Sequence, residues 1–460
     1  MKTKLFFLLS FLFSIMILSQ AGNLDMSFVP ETGKYTNINT IAIQSDKKIL
    51  IGADAYIGQT VPISAVGRLN SNGSIDTSFN TGTGFKNFST FSMVEQSNGK
   101  IIVGGWDNNS GAKNYLSRLN PDGSLDSSFN IGTGANDVVR CITLQPDGKI
   151  IIAGDFTLFN GEGASYLARL NADGRKDNTF NSLWGLNDKI ISCIVLKNGK
   201  IIITGLFTKY HNEVRNYIAR LNTDGSLDTS FIPETSFNDF VRSNIVEDND
   251  GNILFSATYS IDGIQKRRLI RLKNDGTLDR SFSLNTITDL SIYKIAIQTD
   301  QKILITGDLT IYNGLPIKNF ARLNNDGSID NSFNIGTGVN NSISAIVPAN
   351  DESIFIAGNF SSYNETPIFR IAKISSKENL STFDTEKSNI IIYPNPVRSK
   401  LFISENTVSD YEIFNIMGQK IISGKIDKNY IDVANLQEGT YILNFKSKKG
   451  ESITEKFIKH

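Results

Sequence analysis

Three features of the sequence predict an all-β chain. The phrase Arg118-Leu119-Asn120-Pro121-Asp122-Gly123-Ser124-Leu125-Asp126-Ser127-Ser128-Phe129 returns in near-copies at Arg68, Arg169, Arg220, Arg271 and Arg322, at steps of 50 or 51 residues. A second phrase, Asp147-Gly148-Lys149-Ile150-Ile151-Ile152-Ala153-Gly154-Asp155, has relatives centred on Lys48, Lys100, Lys200, Asn252, Lys302 and Ser353. After Ser375 the composition changes, and short apolar runs separated by turn residues follow. A fixed period of this size marks a repeat architecture.

At the start of the chain, Lys2 and Lys4 precede an apolar run from Leu5 to Leu18 broken only by serines, and Ser19-Gln20-Ala21 closes it. Residues 1–21 therefore read as a secretory signal peptide, too short to span a membrane, with cleavage expected after Ala21. No cysteine follows the run, so a lipid anchor is not indicated, and no later segment is apolar enough to cross a membrane.

Residues 22–375 hold the repeats. In each, Leu119 and Leu125 or their equivalents flank a Pro-Asp-Gly type of turn, which makes the phrase a hairpin. With Gly123 left-handed in a three-residue loop, Asn120 faces Ser124, Leu119 faces Leu125 and Arg118 faces Asp126. Opposite charges then share one face and aliphatics the other. The second phrase adds an apolar strand, an Asp-Gly turn and a β-branched strand, giving four strands per repeat and seven repeats. One more step beyond Arg322 reaches Lys373 in Ala372-Lys373-Ile374-Ser375, with no second strand after it. The missing strand is Gly22-Asn23-Leu24-Asp25-Met26-Ser27-Phe28, at the other end. Pairing Asp25 with Lys373 and Leu24 with Ile374 meets both deficits and predicts a seven-bladed β-propeller closed by its N-terminal strand.

Candidate chemistry is sparse. Lys and Arg together number 46 and so do Asp and Glu, so the basic footprint of a nucleic-acid partner is missing. The two histidines, His211 and His460, cannot assemble a histidine cage or triad. Asp54, Asp155 and Asp308 recur at strand ends and keep a carboxylate-pair mechanism open. The repeated arginines read as blade staples rather than an anion ring, because each has an aspartate in register. Asn120 to Asp126 spaces oxygens as a calcium loop would, yet lacks a distal bidentate glutamate; Asx turns are the expected role, and no cofactor is expected. Gly82-Thr83-Gly84, Gly132-Thr133-Gly134 and Gly336-Thr337-Gly338 read as blade connections. Cys141 and Cys193 are read as equivalent positions in neighbouring repeats and as two buried free thiols, since a disulfide requires close approach.

Longer, variable connections leave the rim opposite the tight turns, and binding normally resides in such loops. Trp106, Phe159, Tyr210, Tyr312 and Tyr363 fall there as candidates for stacking on sugar rings, with packing between blades as the competing role. The expected function is a non-enzymatic binding or scaffold protein for a polysaccharide or surface protein. The alternative is a secreted polysaccharide lyase or hydrolase, and a purely structural surface protein is a third reading.

The repeats, from Gly22 to about Ser375, resemble the delta-sixty repeat family of bacterial β-propellers. The fifth repeat departs most, with Lys273 for Asn and Asp250-Gly251-Asn252 for the Asp-Gly-Lys turn. Residues 376–389 are polar and aperiodic and read as a linker. Residues 390–460 carry short strands as in a small Ig-like β-sandwich. This tail resembles the type A sorting domain of the type IX secretion system, through Tyr393-Pro394-Asn395-Pro396, Asn415 to Lys420 around Gly418, Gly439-Thr440-Tyr441-Ile442-Leu443, and Lys456-Phe457-Ile458-Lys459. The resemblance implies passage through the periplasm of a Gram-negative bacterium. It also implies recognition by the outer-membrane translocon, removal of the tail by its sorting protease, and release or attachment at the cell surface.

Overall fold

The computed structural model describes residues 21–460 except 34, 56–63, 108–114, 182–184, 234–236, 238–240, 242, 262–263, 284–285, 289–290, 378–391, 404–407, 416–418, 427 and 448–451. The signal peptide up to Gln20, most of the linker and Gly418 lie outside the described residues. The chain divides into two compact units, residues up to Asn379 and residues from Leu380 onward.

Among the described residues, the first unit has seven antiparallel sheets of three or more strands, with three further two-stranded sheets. The first strands of the larger sheets are Ile38–Ile43, Phe88–Glu95, Val139–Leu144, Ile190–Val195, Val246–Glu247, Ile292–Ile297 and Ile343–Pro348. Second strands such as Ile150–Gly154 and Ile201–Gly205 are buried at every position. The reason is that both sheet faces are covered, so a continuous apolar run is needed rather than alternation. Glycine ends several of these strands because the neighbouring strand crowds it: a Cβ on Gly154 would lie 2.1 Å from the Val138 carbonyl oxygen. Third strands such as Leu116–Leu119 and Leu167–Leu170 pair with the second. The expected fourth strand is contracted to a single bridge, Leu119 to Leu125 and its equivalents.

The hairpin register is the expected one. Asn120 N–H donates to Ser124 O at 2.8 Å, Asp126 N–H donates to Arg118 O at 2.8 Å, and Gly123 has φ of +87°. The aliphatic face differs: Leu119 is buried whereas Leu125 is 61% exposed, because the contracted strand sits at the sheet edge.

Each sheet shares a core with the next. Leu50 and Val66 pack with Ile101 and Val103, Ile102 and Leu116 with Ile150 and Ile152, and Ile151 and Ala153 with Ile201 and Ile203. The order continues through Ile202 with Phe255, Leu254 with Ile305, and Leu304 with Ile356. Phe355 and Ala357 of the seventh sheet then pack with Ile49 and Ile51 of the first. Leu24 bridges Ile374, Gly22 N–H donates to Ser375 O at 2.8 Å, and Ser375 N–H donates to Asn23 O at 2.9 Å. The fifth sheet differs in a way its altered turns did not announce: its long strands Ile253–Ile261 and Ile264–Leu272 join a six-stranded arrangement.

Ala21, the expected last residue of the signal peptide, packs into the first unit. Its side chain is 2% exposed within the core of the seventh sheet, and its carbonyl accepts the Asn334 N–H at 2.9 Å. A cut after Ala21 would remove a residue that the fold uses.

The second unit has two sheets around one core. Ile392–Tyr393, Lys400–Ile403 and Tyr430–Asp432 form the first; Lys420–Lys425, Val408–Asn415, Gly439–Ser447 and Ser452–Lys459 form the second. Leu401 and Ile431 from one meet Ile413, Leu443 and Phe457 from the other. Among the described residues, the single helix is Arg280–Ser283 in the first unit, and no helix is long and apolar enough to cross a membrane.

Candidate functional site

The densest polar clusters are the repeated staples. Asp126 Oδ2 takes Arg118 Nε at 2.6 Å and Lys100 Nζ at 2.8 Å, while Oδ1 takes the amide of Ser128 at 3.0 Å and its hydroxyl at 2.6 Å. The Arg118 guanidinium lies 4.4 Å from the Phe129 ring centroid. Burial pushes the Asp126 carboxyl upward, but the hydrogen bonds from Lys100, Ser128 and Arg118 outweigh it and hold the group well below the usual carboxylate range. Asp76, Asp177, Asp228 and Asp330 repeat this balance.

The staple also reaches forward. Arg68 Nη1 donates to Pro121 O at 2.7 Å, Arg169 to Thr223 O at 2.5 Å and Arg322 to Ser376 O at 2.5 Å, each in the next repeat. These guanidiniums are buried and engaged by internal partners, as expected of staples rather than an anion ring. The Asx turns are present too: Asp122 Oδ1 accepts the Ser124 amide at 2.9 Å and its hydroxyl at 2.6 Å. At Gly132-Thr133-Gly134 the Thr133 amide is taken by Asn160 Oδ1 at 3.1 Å, which gives that consensus asparagine a structural role.

Four of the candidate sugar-stacking aromatics are corrected. Phe159, Tyr210, Tyr312 and Tyr363 are fully buried between sheets. The hydroxyls of Tyr210, Tyr312 and Tyr363 donate to the carbonyls of Gly225, Gly327 and Gly22 at 2.5, 2.6 and 2.5 Å. Rings packed on both faces have none to offer a ligand. Trp106 differs, with 40% of its surface exposed.

Trp106 belongs to a polar end of the sheets that sequence reasoning recognised only through its aspartates. It pairs with Ser89 where the first strand begins and the second ends, the place held by Asp155 and Asp308 in other repeats. There Arg140 grips Asp155 with two hydrogen bonds of 2.6 and 2.7 Å, Asn39 donates to Asp54 at 2.6 Å, and the hydroxyl of Tyr293, itself 37% exposed, donates to Asp308. Each recurrent carboxylate therefore has its own local partner. Exposed aromatic faces beside oriented polar groups can stack on and hydrogen-bond a hydroxylated ligand. At the opposite end, where the Asp-Gly turns lie, a cavity of about 580 Å³ opens at the seam of the first and seventh sheets, lined by Gln44, Ser71, Asp351, Phe355 and Lys373. His211 packs edge-on against Tyr210, with ring centroids 4.8 Å apart.

In the second unit the two ends of the predicted motif meet. Asn395 Nδ2 donates to Lys456 O at 3.0 Å and Asn395 Oδ1 accepts the Ile458 N–H at 2.8 Å. Tyr441 stacks on Phe457 at 5.6 Å, and Lys459 is buried with its amine donating to His460 O. Pro394 and Pro396 flank Asn395, and Tyr393 stacks on Phe402 at 5.8 Å.

Comparison with known families decides what these units are. Residues 44–79, 96–129, 145–180, 196–231, 249–282 and 298–333 match the domain of unknown function DUF5122 β-propeller, and residues 391–460 match the secretion system C-terminal sorting domain. The chain carries DUF5122 β-propeller repeats and a type IX sorting domain. The DUF5122 matches coincide with the Asp-Gly turn, second strand and hairpin of six sheets; the seventh sheet, with its weakened Lys373 phrase, lies outside them. No curated protein matches the sequence.

Among solved structures, the chain is similar to PorZ, an essential bacterial surface component of the type IX secretion system of Porphyromonas gingivalis, at 12% identity and TM-score 0.43, covering 92% of this chain and 59% of that one. It is also similar to the extracellular domain of BT4673 from B. thetaiotaomicron, at 12% identity and TM-score 0.48, covering 96% and 59%. A gluconolactonase from Xanthomonas campestris matches at 14% identity and TM-score 0.35, covering 59% and 84%. The chain thus spans less than two thirds of the length of the first two.

Proposed function

We propose that the chain is an exported, non-enzymatic seven-bladed β-propeller, sealed by its N-terminal strand, that presents the Trp106 end of its ring to a polysaccharide or a surface protein. The exposed indole of Trp106, at the strand position that Asp54, Asp155 and Asp308 hold in other repeats, carries this reading of the binding end. The cyclic succession of shared cores supports seven blades, and the two-sheet core of the tail supports an Ig-like sandwich. In this reading the signal peptide delivers the chain to the periplasm. The type IX translocon then recognises the sorting domain, its protease removes it, and the propeller is released or attached at the surface.

The second reading is a secreted lyase or hydrolase acting on polysaccharide. It is favoured by the recurrence of Asp54, Asp155 and Asp308 at one end, and opposed by the local partner each already has. Thermal unfolding of the full chain against a polysaccharide panel tests both, since a ligand bound only by the native state raises its apparent stability. A shift lost in Trp106→Ala supports the binder; new reducing ends or unsaturated products support the enzyme. A flat panel without turnover overturns polysaccharide binding and leaves a protein-facing scaffold.

A further inference from the structure

The only two cysteines of the chain are brought together by a feature of the repeat. Cys141 lies in the first strand of the third sheet and Cys193 in that of the fourth. They are not equivalent positions, as the sequence reading held. Cys141 stands opposite Ala153, and the residue matching it in the fourth sheet is Ser192, opposite Thr204; Cys193 is one further on.

That offset matters because side chains at the Cys141 position reach the next sheet's backbone one residue further on. Ser92 Oγ accepts the Ile142 N–H at 3.0 Å, and Asn244 accepts the Ile295 N–H at 2.7 Å while donating to Ile295 O at 2.9 Å. Cys141 Sγ does the same to residue 193, accepting its N–H at 3.1 Å and donating to its carbonyl at 3.0 Å. In this repeat alone the residue received is itself a cysteine. The Cys193 side chain turns back into the core shared with the third sheet, beside Ile151 and Ala153, and Cys141 packs against that cluster. A sulfur in contact with both polar backbone atoms of residue 193 places the two Cα atoms within roughly 7 Å, inside the reach of a disulfide.

We propose that Cys141 and Cys193 are a cross-linking site, joined by a disulfide that staples the third sheet to the fourth in the exported protein. The oxidant is a low-molecular-weight disulfide such as oxidised glutathione. Cys141 is the more exposed thiol and reacts first, forming a mixed disulfide and releasing one glutathione thiol. The Cys193 sulfur then displaces the second, losing its proton as the new S–S bond forms. Two thiols are oxidised and one glutathione disulfide is reduced to two thiols. Burial holds the Cys193 thiol protonated, so exchange in the native state is slow in both directions, as suits a staple more than a switch. The site rests on geometry, whereas its occupation in the cell rests on the export reading, which places the chain where disulfides persist.

Trypsin separates the two residues into peptides Cys141 to Lys149 and Ile190 to Lys197. The purified full chain is treated with oxidised glutathione, alkylated and digested without reductant. The linked pair is expected as one species, two hydrogens lighter than the sum of its thiol peptides. A reductant is then expected to lower Tm by roughly 5 °C in the wild type and to leave Cys141→Ser unchanged. That variant should fold, because serine already occupies the position in Ser92 and Ser192. Recovery of both peptides separately, each alkylated or glutathionylated, overturns the site. A link that forms on the purified protein but is missing from protein collected outside the cell overturns the oxidising destination instead.

Discussion

Asp25 Oδ2 lies 3.1 Å from Lys373 Nζ, and the Asp25 amide donates to the Lys373 carbonyl at 2.8 Å, so the start of the described chain completes the hairpin that the last repeat leaves unfinished. Burial raises the Asp25 carboxyl, yet bonds from Ser27 and Lys373 bring it below its ordinary value. Lys373 has a second carboxylate that the phase of the repeats did not reveal, Asp351, also at 3.1 Å. Charge reversal at Asp25 alone should therefore destabilise, and Asp25→Lys with Lys373→Glu should recover only part, because Asp351 then faces a like charge. A double-mutant cycle by denaturant unfolding is expected to give a coupling of about 0.5–1 kcal/mol for this half-exposed pair. Zero coupling would count against the closing register.

The staples should differ in strength according to their number of partners. Asp126→Asn leaves the buried Arg118 facing a neutral amide and should cost about 3–5 kcal/mol, the range for breaking a buried pair. Asp279 has Arg271 but no lysine, since Asn252 replaces it and its amide bonds Asp248 at 2.8 Å instead. Its side chain is also more exposed, 15% against 6% for Asp126. Asp279→Asn should cost less, about 2 kcal/mol, near the worth of hydrogen bonds to a charged group. Equal losses at the two sites would show that the lysine and the extra burial contribute nothing.

Acid should release these staples together. Asp76, Asp126, Asp177, Asp228 and Asp330 titrate in the folded chain well below the unfolded value of about 3.9, so between the two the unfolded state binds more protons. Their stabilisation is fully present above pH 4 and is lost as pH falls from there through the folded values. Tm is expected to stay level from pH 7 to about 5 and to fall steeply below 4, with a shallower fall in Asp126→Asn. A flat Tm down to pH 2 would rule out the lowered carboxyls.

Much of this was legible because the repeat writes both partners of each contact as side chains. Arg118 and Asp126, or Leu24 and Ile374, can be matched by register alone. The forward bonds of the arginines could not be read, because their acceptors are the carbonyls of Pro121, Thr223 and Ser376, which any residue can supply. For Tyr210 and Tyr312 the sequence offered both stacking on a ligand and packing between blades; their short strands fold back between sheets, and the three-dimensional path decides for packing. Cys141 and Cys193 were misaligned by a single residue, enough to conceal that one reaches the other. Nothing in the sequence set Trp106 apart from the four buried aromatics, nor showed the polar pairs at the same end of the sheets, which join residues some fifteen positions apart across a bulged strand pair.

The bonds between successive sheets bear on where processing stops. Between sheets, the residue after the repeated phenylalanine donates its N–H to the turn carbonyl of the next hairpin: Asn80 to Asp122 at 2.8 Å, Asn130 to Asp173 at 2.7 Å and Asn181 to Asp224 at 2.7 Å. At the seam the donor is Asn334, and the acceptor is the carbonyl of Ala21. Cleavage after Ala21 would delete that acceptor, leaving the N–H of the exposed Asn334 to water, and would empty the space of the buried Ala21 methyl group in the core of the seventh sheet. The mature protein should therefore begin at or before Ala21. N-terminal sequencing of protein collected outside the cell checks this directly, and a first residue of Gly22 would refute it. A chain engineered to start at Gly22 should then melt several degrees below one that keeps Ala21, because the last of the junctions would be the one without its bond.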